Sequence, residues 1–285
     1  MLNSGRNYAK TALLLGALTG LLVGVGYFVG GSTWALYALV FAVLLNFASY
    51  WWSDRIVLAL HGAQPIAPGE LPELHKIVER LAARAGIPKP RLYRVPDAAP
   101  NAFATGRNPE HAVVCVTDGI LQLCNEVELE GVLAHELSHV NNRDILISSV
   151  AATIAGAIAL MGRLLFFGGG RDNRERGGAG AALLVSLVAG FIATLFQLAL
   201  SRSREYGADA SGARLAGSSR GLASALRKLG MASGRVPMRT ASPATAHLYI
   251  VAPLSGEGGA LSLFMTHPPL EKRIARLEQM EAVHG

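Results

Sequence analysis

The sequence predicts a mainly α integral membrane protein, with four transmembrane helices and a soluble α+β portion that carries a small sheet. Three observations support this. Only 16% of the 285 residues are charged and 51% are hydrophobic, whereas soluble domains carry about a quarter charged residues. From Thr11 to Ser53 there is no Asp, Glu, Lys or Arg, a run of 43 residues where one crossing needs about 20. Two more apolar stretches, 145–170 and 177–201, follow later, with Arg163 the one charge inside them.

Residues 1–53 hold the first two membrane helices. Gly30-Gly31-Ser32-Thr33 divides them into a hairpin. Arg6 and Lys10 make a short basic leader, but the apolar run outlasts a signal core and no small-x-small cleavage site ends it, which favours an uncleaved anchor. Gly16, Gly20 and Gly24 fall on one helix face. That face is read as a seam for packing inside the chain in preference to a dimer seam.

Residues 54–144 form the first soluble part. It starts at Asp54-Arg55, after the boundary-type pair Trp51-Trp52. Leu74, Ile77, Val78 and Leu81 predict a helix over 72–85, stopped by Gly86, Pro88 and Pro90. Short strands are expected over 91–95, 101–105 and 112–116, between Pro, Asp and Gly turns. Asn125, with Glu128 three residues later, reads as a capping box that opens a helix over 126–144. Residues 145–201 are then a transmembrane hairpin with a polar tip at 171–176. The second soluble part, 202–285, offers helices over 203–216, 220–232 and 269–282, with a Gly-, Pro- and Ser-rich loop over 233–262.

Cys115 and Cys124 have no Cys-x-x-Cys spacing and read as reduced and structural. The net charge of +6 comes without a basic run interleaved with aromatics, so it reads as membrane-proximal. No nucleic-acid or nucleotide partner is expected.

The chemistry centres on His135-Glu136-Leu137-Ser138-His139. Histidines four apart on a helix lie about 40° apart around its axis, one turn above the other, and can close on a single ion. Imidazole suits zinc, and Glu136 beside the first ligand is placed to act as general base on the hydrolytic water. Gly131, one turn earlier, leaves room for another backbone. The plain alternative is two histidines on a solvated face. A catalytic zinc needs a third protein ligand and an open position. Glu205 is a candidate, and Asp209, four residues on, can accept the far N–H of a ligating histidine. An isolated Glu-x-x-x-Asp would be a solvated face, and the upstream motif reverses that preference.

His135-Glu-Leu-Ser-His139-Val-Asn-Asn-Arg-Asp144, the apolar hairpin, Glu205-Tyr-Gly-Ala-Asp209 and His267-Pro-Pro269 together resemble the HtpX-type membrane metalloproteases. These are gluzincins related to the CAAX prenyl endopeptidases, and the similarity covers nearly the whole chain. The resemblance implies a zincin-like protease domain with one Zn2+ per subunit on His135, His139 and Glu205. It also implies Glu136 as base and Asp209 in an orienting role. By resemblance His267 is the candidate oxyanion donor, although starting a helix before Pro268-Pro269 would also explain it. Asn101, Ala102, Phe103 and Ala104 resemble the family's edge strand, able to bind an extended substrate on an exposed edge or to serve as an ordinary strand. Tyr206 stands where the family more often has Phe, a conservative packing change or a hydroxyl near the site.

The implied function is ATP-independent cleavage of misfolded or damaged membrane proteins in envelope quality control, at the bacterial inner membrane. Four crossings would bring both halves of the site to one side. Arg6, Lys10, Arg55, Arg202 and Arg204 make that side cytoplasmic, while Arg171, Arg174 and Arg176 on the hairpin tip run against it. The expected partners are the bilayer and membrane-protein or unfolded polypeptide substrates. The alternative is a zinc-binding membrane scaffold or chaperone, for which neither cysteine offers the fourth ligand of a closed site. A transporter would show more charge inside its spans.

Overall fold

The helical run α1 (Leu2–Trp51) breaks where the sequence predicts, at Gly30 (φ −154°) and Gly31 (φ +69°, ψ −155°). The second of these conformations is one that glycine adopts without a Cβ clash. The computed structural model describes residues 2–155, 202–233, 236, 238, 248–251 and 268–284. The two arms, Ala9–Phe28 and Gly30–Trp51, are each long and apolar enough to cross a membrane. They fold back on each other: Asn46 Nδ2 donates to Thr19 Oγ1 at 2.9 Å, and a Cβ on Gly26 would lie 2.6 Å from the Trp34 carbonyl oxygen. Their outer faces stay uncovered, with Phe28 93% exposed, as lipid contact requires. Among the described residues nothing lies within 4 Å of where a Cβ on Gly16, Gly20 or Gly24 would sit, so the in-chain packing expected there is not seen.

A short helix, α2 (Ser53–Leu60), leads into the sheet. Arg107 lies over the Trp51 ring, 4.5 Å from its centroid, tying the two regions together. The sheet contains β1 (Gln64–Pro65), β2 (Arg91–Val95), β3 (Ala102–Thr105) and β4 (Val113–Thr117) in the order β1-β2-β4-β3. β4 pairs parallel to β2 and antiparallel to β3. Helix α3 (Pro72–Ala85) has the bounds its periodicity predicts, and α4 (Asp118–Leu123), absent from the sequence reading, follows β4.

Helix α5 (Glu126–Asn141) opens with the full capping box of Asn125 and Glu128. It ends three residues short of the expected 144, because Arg143 takes a left-handed conformation (φ +59°). Helix α6 (Ile145–Ala155) packs Leu146, Ile147, Val150 and Ile154 against Leu14 and Leu18 of the first arm. The rest of the predicted hairpin, 156–201, lies outside the described residues. Helices α7 (Arg202–Ala216), α8 (Arg220–Ser233) and α9 (Leu270–His284) follow the expected segments. Helix α5 is the spine, packed against α3, β3, α7 and α8. Leu133, Leu137, Val114, Leu226 and Leu277 share its core, and each such side chain contributes about 1.5–3 kcal/mol on burial.

Candidate active site

Two glycines set how close the elements come to α5. A Cβ on Gly131 would lie 2.4 Å from the Leu222 nitrogen of α8, which is the close approach that Gly131 suggests in the sequence. A Cβ on Gly212 of α7 would lie 2.9 Å from both Cα and N of His135. With no side chain in the way, α7 brings Glu205 and Asp209 onto the histidine face of α5.

There His135 Nε2 and His139 Nε2 face each other at 3.2 Å. Glu205 approaches with Oε1 3.5 Å from His139 Nε2 and Oε2 3.8 Å from His135 Nε2. One donor atom from each of the three residues falls within 4.8 Å of the others. Ligands about 2.0–2.2 Å from a tetrahedral ion lie roughly 3.3–3.6 Å apart, so the set fits a metal of zinc's size. The far ring nitrogens each face a carboxylate: His135 Nδ1 is 2.9 Å from Asp209 Oδ1, and His139 Nδ1 is 3.1 Å from Asp144 Oδ2. That arrangement leaves both Nε2 atoms for an ion.

The electrostatics agree. Burial would lower the His139 pKa, but Asp144, Glu205 and Glu136 together raise it to about 9, as surroundings that favour a cation should. Burial lowers His135. Glu136 is 2% exposed, and burial, with Glu205 nearby, pushes its carboxyl up to about 8. Asp209 goes the other way: burial opposes its charge, yet Arg273 and His135 hold it down at about 2.

Strand β3 runs beside Glu136, close enough for the Ala104 backbone to favour the charged form of its carboxyl. Thr117 N–H donates to the Asn101 carbonyl, so with the register of β3 on β4 the main-chain groups of Ala102 and Ala104 point off the sheet. β3 is thus an edge strand, but it is not exposed as expected. All four of its residues are buried, because Ile250 N–H donates to the Ala102 carbonyl at 3.3 Å and Asn101 Nδ2 donates to the Val251 carbonyl. Tyr249 stacks edge-on against Phe103 over the same strand.

The structure therefore brings together His135, Glu136, His139, Glu205 and Asp209, with Asn101–Ala104 alongside. His267 lies outside the described residues. The Tyr206 ring lies under Arg276, 4.1 Å from its guanidinium. Two site residues escape the sequence reading: Asp144, where the helix was expected to end, and Arg273, on α9. Cys115 and Cys124 are both free, as expected, and burial pushes the Cys115 thiol up.

A family model described as peptidase family M48 matches residues 68–281. The protease HtpX homolog of Desulfatibacillum aliphaticivorans is 52% identical over 277 residues, spanning 95% of this chain and 89% of that relative. The homolog of Syntrophobacter fumaroxidans is 50% identical over 278 residues, 95% of this chain and 98% of the relative. The homolog of Pyrococcus furiosus is 50% identical over 282 residues, 98% of this chain and 97% of the relative. The crystal structure of S. mikatae Ste24p shares the fold with a TM-score of 0.51 at 20% identity, covering 97% of this chain and 66% of that one.

Proposed function

The chain belongs to peptidase family M48 and is a membrane metalloprotease, and from that premise we propose that it uses one zinc ion to hydrolyse unfolded or damaged membrane proteins. The observation that carries the zinc assignment is the convergence of His135 Nε2, His139 Nε2 and a Glu205 oxygen within 4.8 Å. When bound, zinc supplies Lewis acidity to the scissile carbonyl and acidifies water. Glu136 accepts the proton of the attacking water at its carboxylate and passes it to the leaving amine, a role suited by its place beside His135 on α5. Asp209 and Asp144 hold the two imidazoles with Nε2 inward. His267, three residues before the first residue of α9, is proposed as donor to the developing oxyanion.

An extended substrate would pair with the outward main-chain groups of Ala102 and Ala104, exchanging the bond that Ile250 makes now. Lys10, Arg55, Arg202 and Arg204 support a cytoplasmic site in a four-crossing chain in the bacterial inner membrane, with both soluble parts, 54–144 and 202–285, assembled there. The test is cleavage of an unfolded membrane protein by detergent-purified protein. Glu136→Gln should keep zinc and lose about 10²–10⁴-fold in rate, and chelator should abolish cleavage. Full zinc-dependent cleavage by Glu136→Gln would remove Glu136 as the base, and unchanged zinc content in Glu205→Ala would remove Glu205 from the ligand set.

A further inference from the structure

One buried cation takes no part in the chemistry above. Arg273 is 1% exposed, and a buried guanidinium costs several kcal/mol unless its N–H groups are matched. The site supplies the match. Nε donates to Asp209 Oδ2 at 2.9 Å and Nη2 to Asp209 Oδ1 at 2.7 Å, a bidentate fork. Nη1 donates to the Ile250 carbonyl at 2.8 Å. The same guanidinium lies 3.7 Å from Glu205 Oε2 and 3.5 Å from His135 Nε2.

Asp209 held by a single imidazole contact could still swing about its side-chain torsions. The fork fixes the plane of its carboxylate, and with it the direction from which His135 Nδ1 is held. Charge matters as well. Glu205 and Asp209 sit one turn apart on α7, close to the buried Glu136, and like charges at that spacing repel. Arg273 is placed to offset that repulsion. Lysine would bring the charge without the fork, since its ammonium is a point donor.

We propose that Arg273 is a positioning residue for the metal site: its fork fixes Asp209, Asp209 fixes His135, and its charge keeps Glu205 beside them. The inference rests on the reading of His135, His139 and Glu205 as the zinc ligands.

The test measures zinc affinity of the full chain in detergent by competition with graded chelator, and thermal unfolding of the metal-free protein. The variants are Arg273→Gln, Arg273→Lys, Asp209→Asn, the Arg273→Gln/Asp209→Asn pair, and Glu205→Ala. Arg273→Gln should weaken zinc binding about 10–100-fold, Arg273→Lys should recover only part of that, and the double variant should be worse than Asp209→Asn by much less than the full Arg273→Gln effect, since only the part exerted on Glu205 adds. A purely structural arginine would lower the unfolding temperature while leaving zinc affinity of the folded protein unchanged, or would add its full effect to that of Asp209→Asn. Either outcome overturns the proposal. Should Arg273→Gln fail to fold, wild-type affinity in Arg273→Lys overturns it instead. If Glu205→Ala keeps wild-type zinc, the ligand reading itself has failed. If Glu205→Ala loses zinc while the Arg273 variants bind normally, only the role of Arg273 falls.

Discussion

Helix α5 carries two clusters of buried charge less than two turns apart, and they are built on opposite principles. At its start, Glu128 accepts hydrogen bonds from Lys228 Nζ and Ser224 Oγ, both at 2.7 Å, and from the Asn125 N–H at 2.9 Å. Every strong acceptor there meets a donor. In its middle, two imidazole nitrogens and a carboxylate converge with lone pairs toward one point, while their other ends are held by Asp209 and Asp144. Burial and charge are common to both clusters. What separates a site from a strut is that the supporting bonds point outward and the unshared electron pairs point in.

Three substitutions sharpen that contrast. The largest effect is expected for Asp144→Asn, which should weaken zinc binding about 10–100-fold with little change in metal-free stability; chelator competition reads it, and unchanged affinity would show His139 to be oriented without Asp144. Next is Gly212→Ala. Its methyl would press on the His135 backbone, so it should destabilise the protein by about 2 kcal/mol and lower zinc affinity together, read by thermal unfolding and metal titration on the same samples. If only stability moves, the close approach of α7 serves packing alone.

Glu128→Gln should have the smallest effect on the metal site, with cleavage rate and zinc content intact, at a cost in stability of about 1–3 kcal/mol near neutral pH as Lys228 loses its buried charged partner. Burial would raise the Glu128 carboxyl, but Lys228, Ser224 and the Asn125 cap outweigh it and hold it below its ordinary value. A depressed carboxylate stabilises the fold above its unfolded pKa and loses that contribution as pH falls through the folded one. Part of the acid-side slope of stability should therefore disappear in Glu128→Gln. A change in cleavage rate at pH 7 would break the division between the two clusters.

Sequence reading served best where the signal is local. The capping box, the His-x-x-x-His spacing and the 72–85 periodicity all lie within one or two helical turns, and the helices came out close to their expected bounds. Glu205 and Asp209 were legible because they repeat the four-residue spacing of the histidines. Asp144 was not, since its role depends on the left-handed turn at Arg143 that folds it back on His139. Arg273 was hidden because it stands 64 residues from Asp209 in the chain, on a separate helix. Strand β4 starts at Val113, one residue later than expected, because all five of its residues are buried and no alternation marks its register. The cover on β3 comes from Ile250, far along the chain, and no local pattern announces it.

The proposed ligands are also separated in time. A ribosome makes His135 and His139 first, then residues 145–201, then Glu205 and Asp209, and Arg273 later still. Chains grow and fold from the N-terminus, so a nascent chain that has exposed the whole His-Glu motif still has only two of the three proposed ligands. The protease cannot be assembled until the intervening apolar stretch has been made and α7 has come back beside α5. With the proposed ligand set, metal capture would be a late event in the birth of the molecule. A chain truncated after residue 200 should insert its first two spans yet retain no zinc, and stoichiometric zinc in that fragment would disprove this order of assembly.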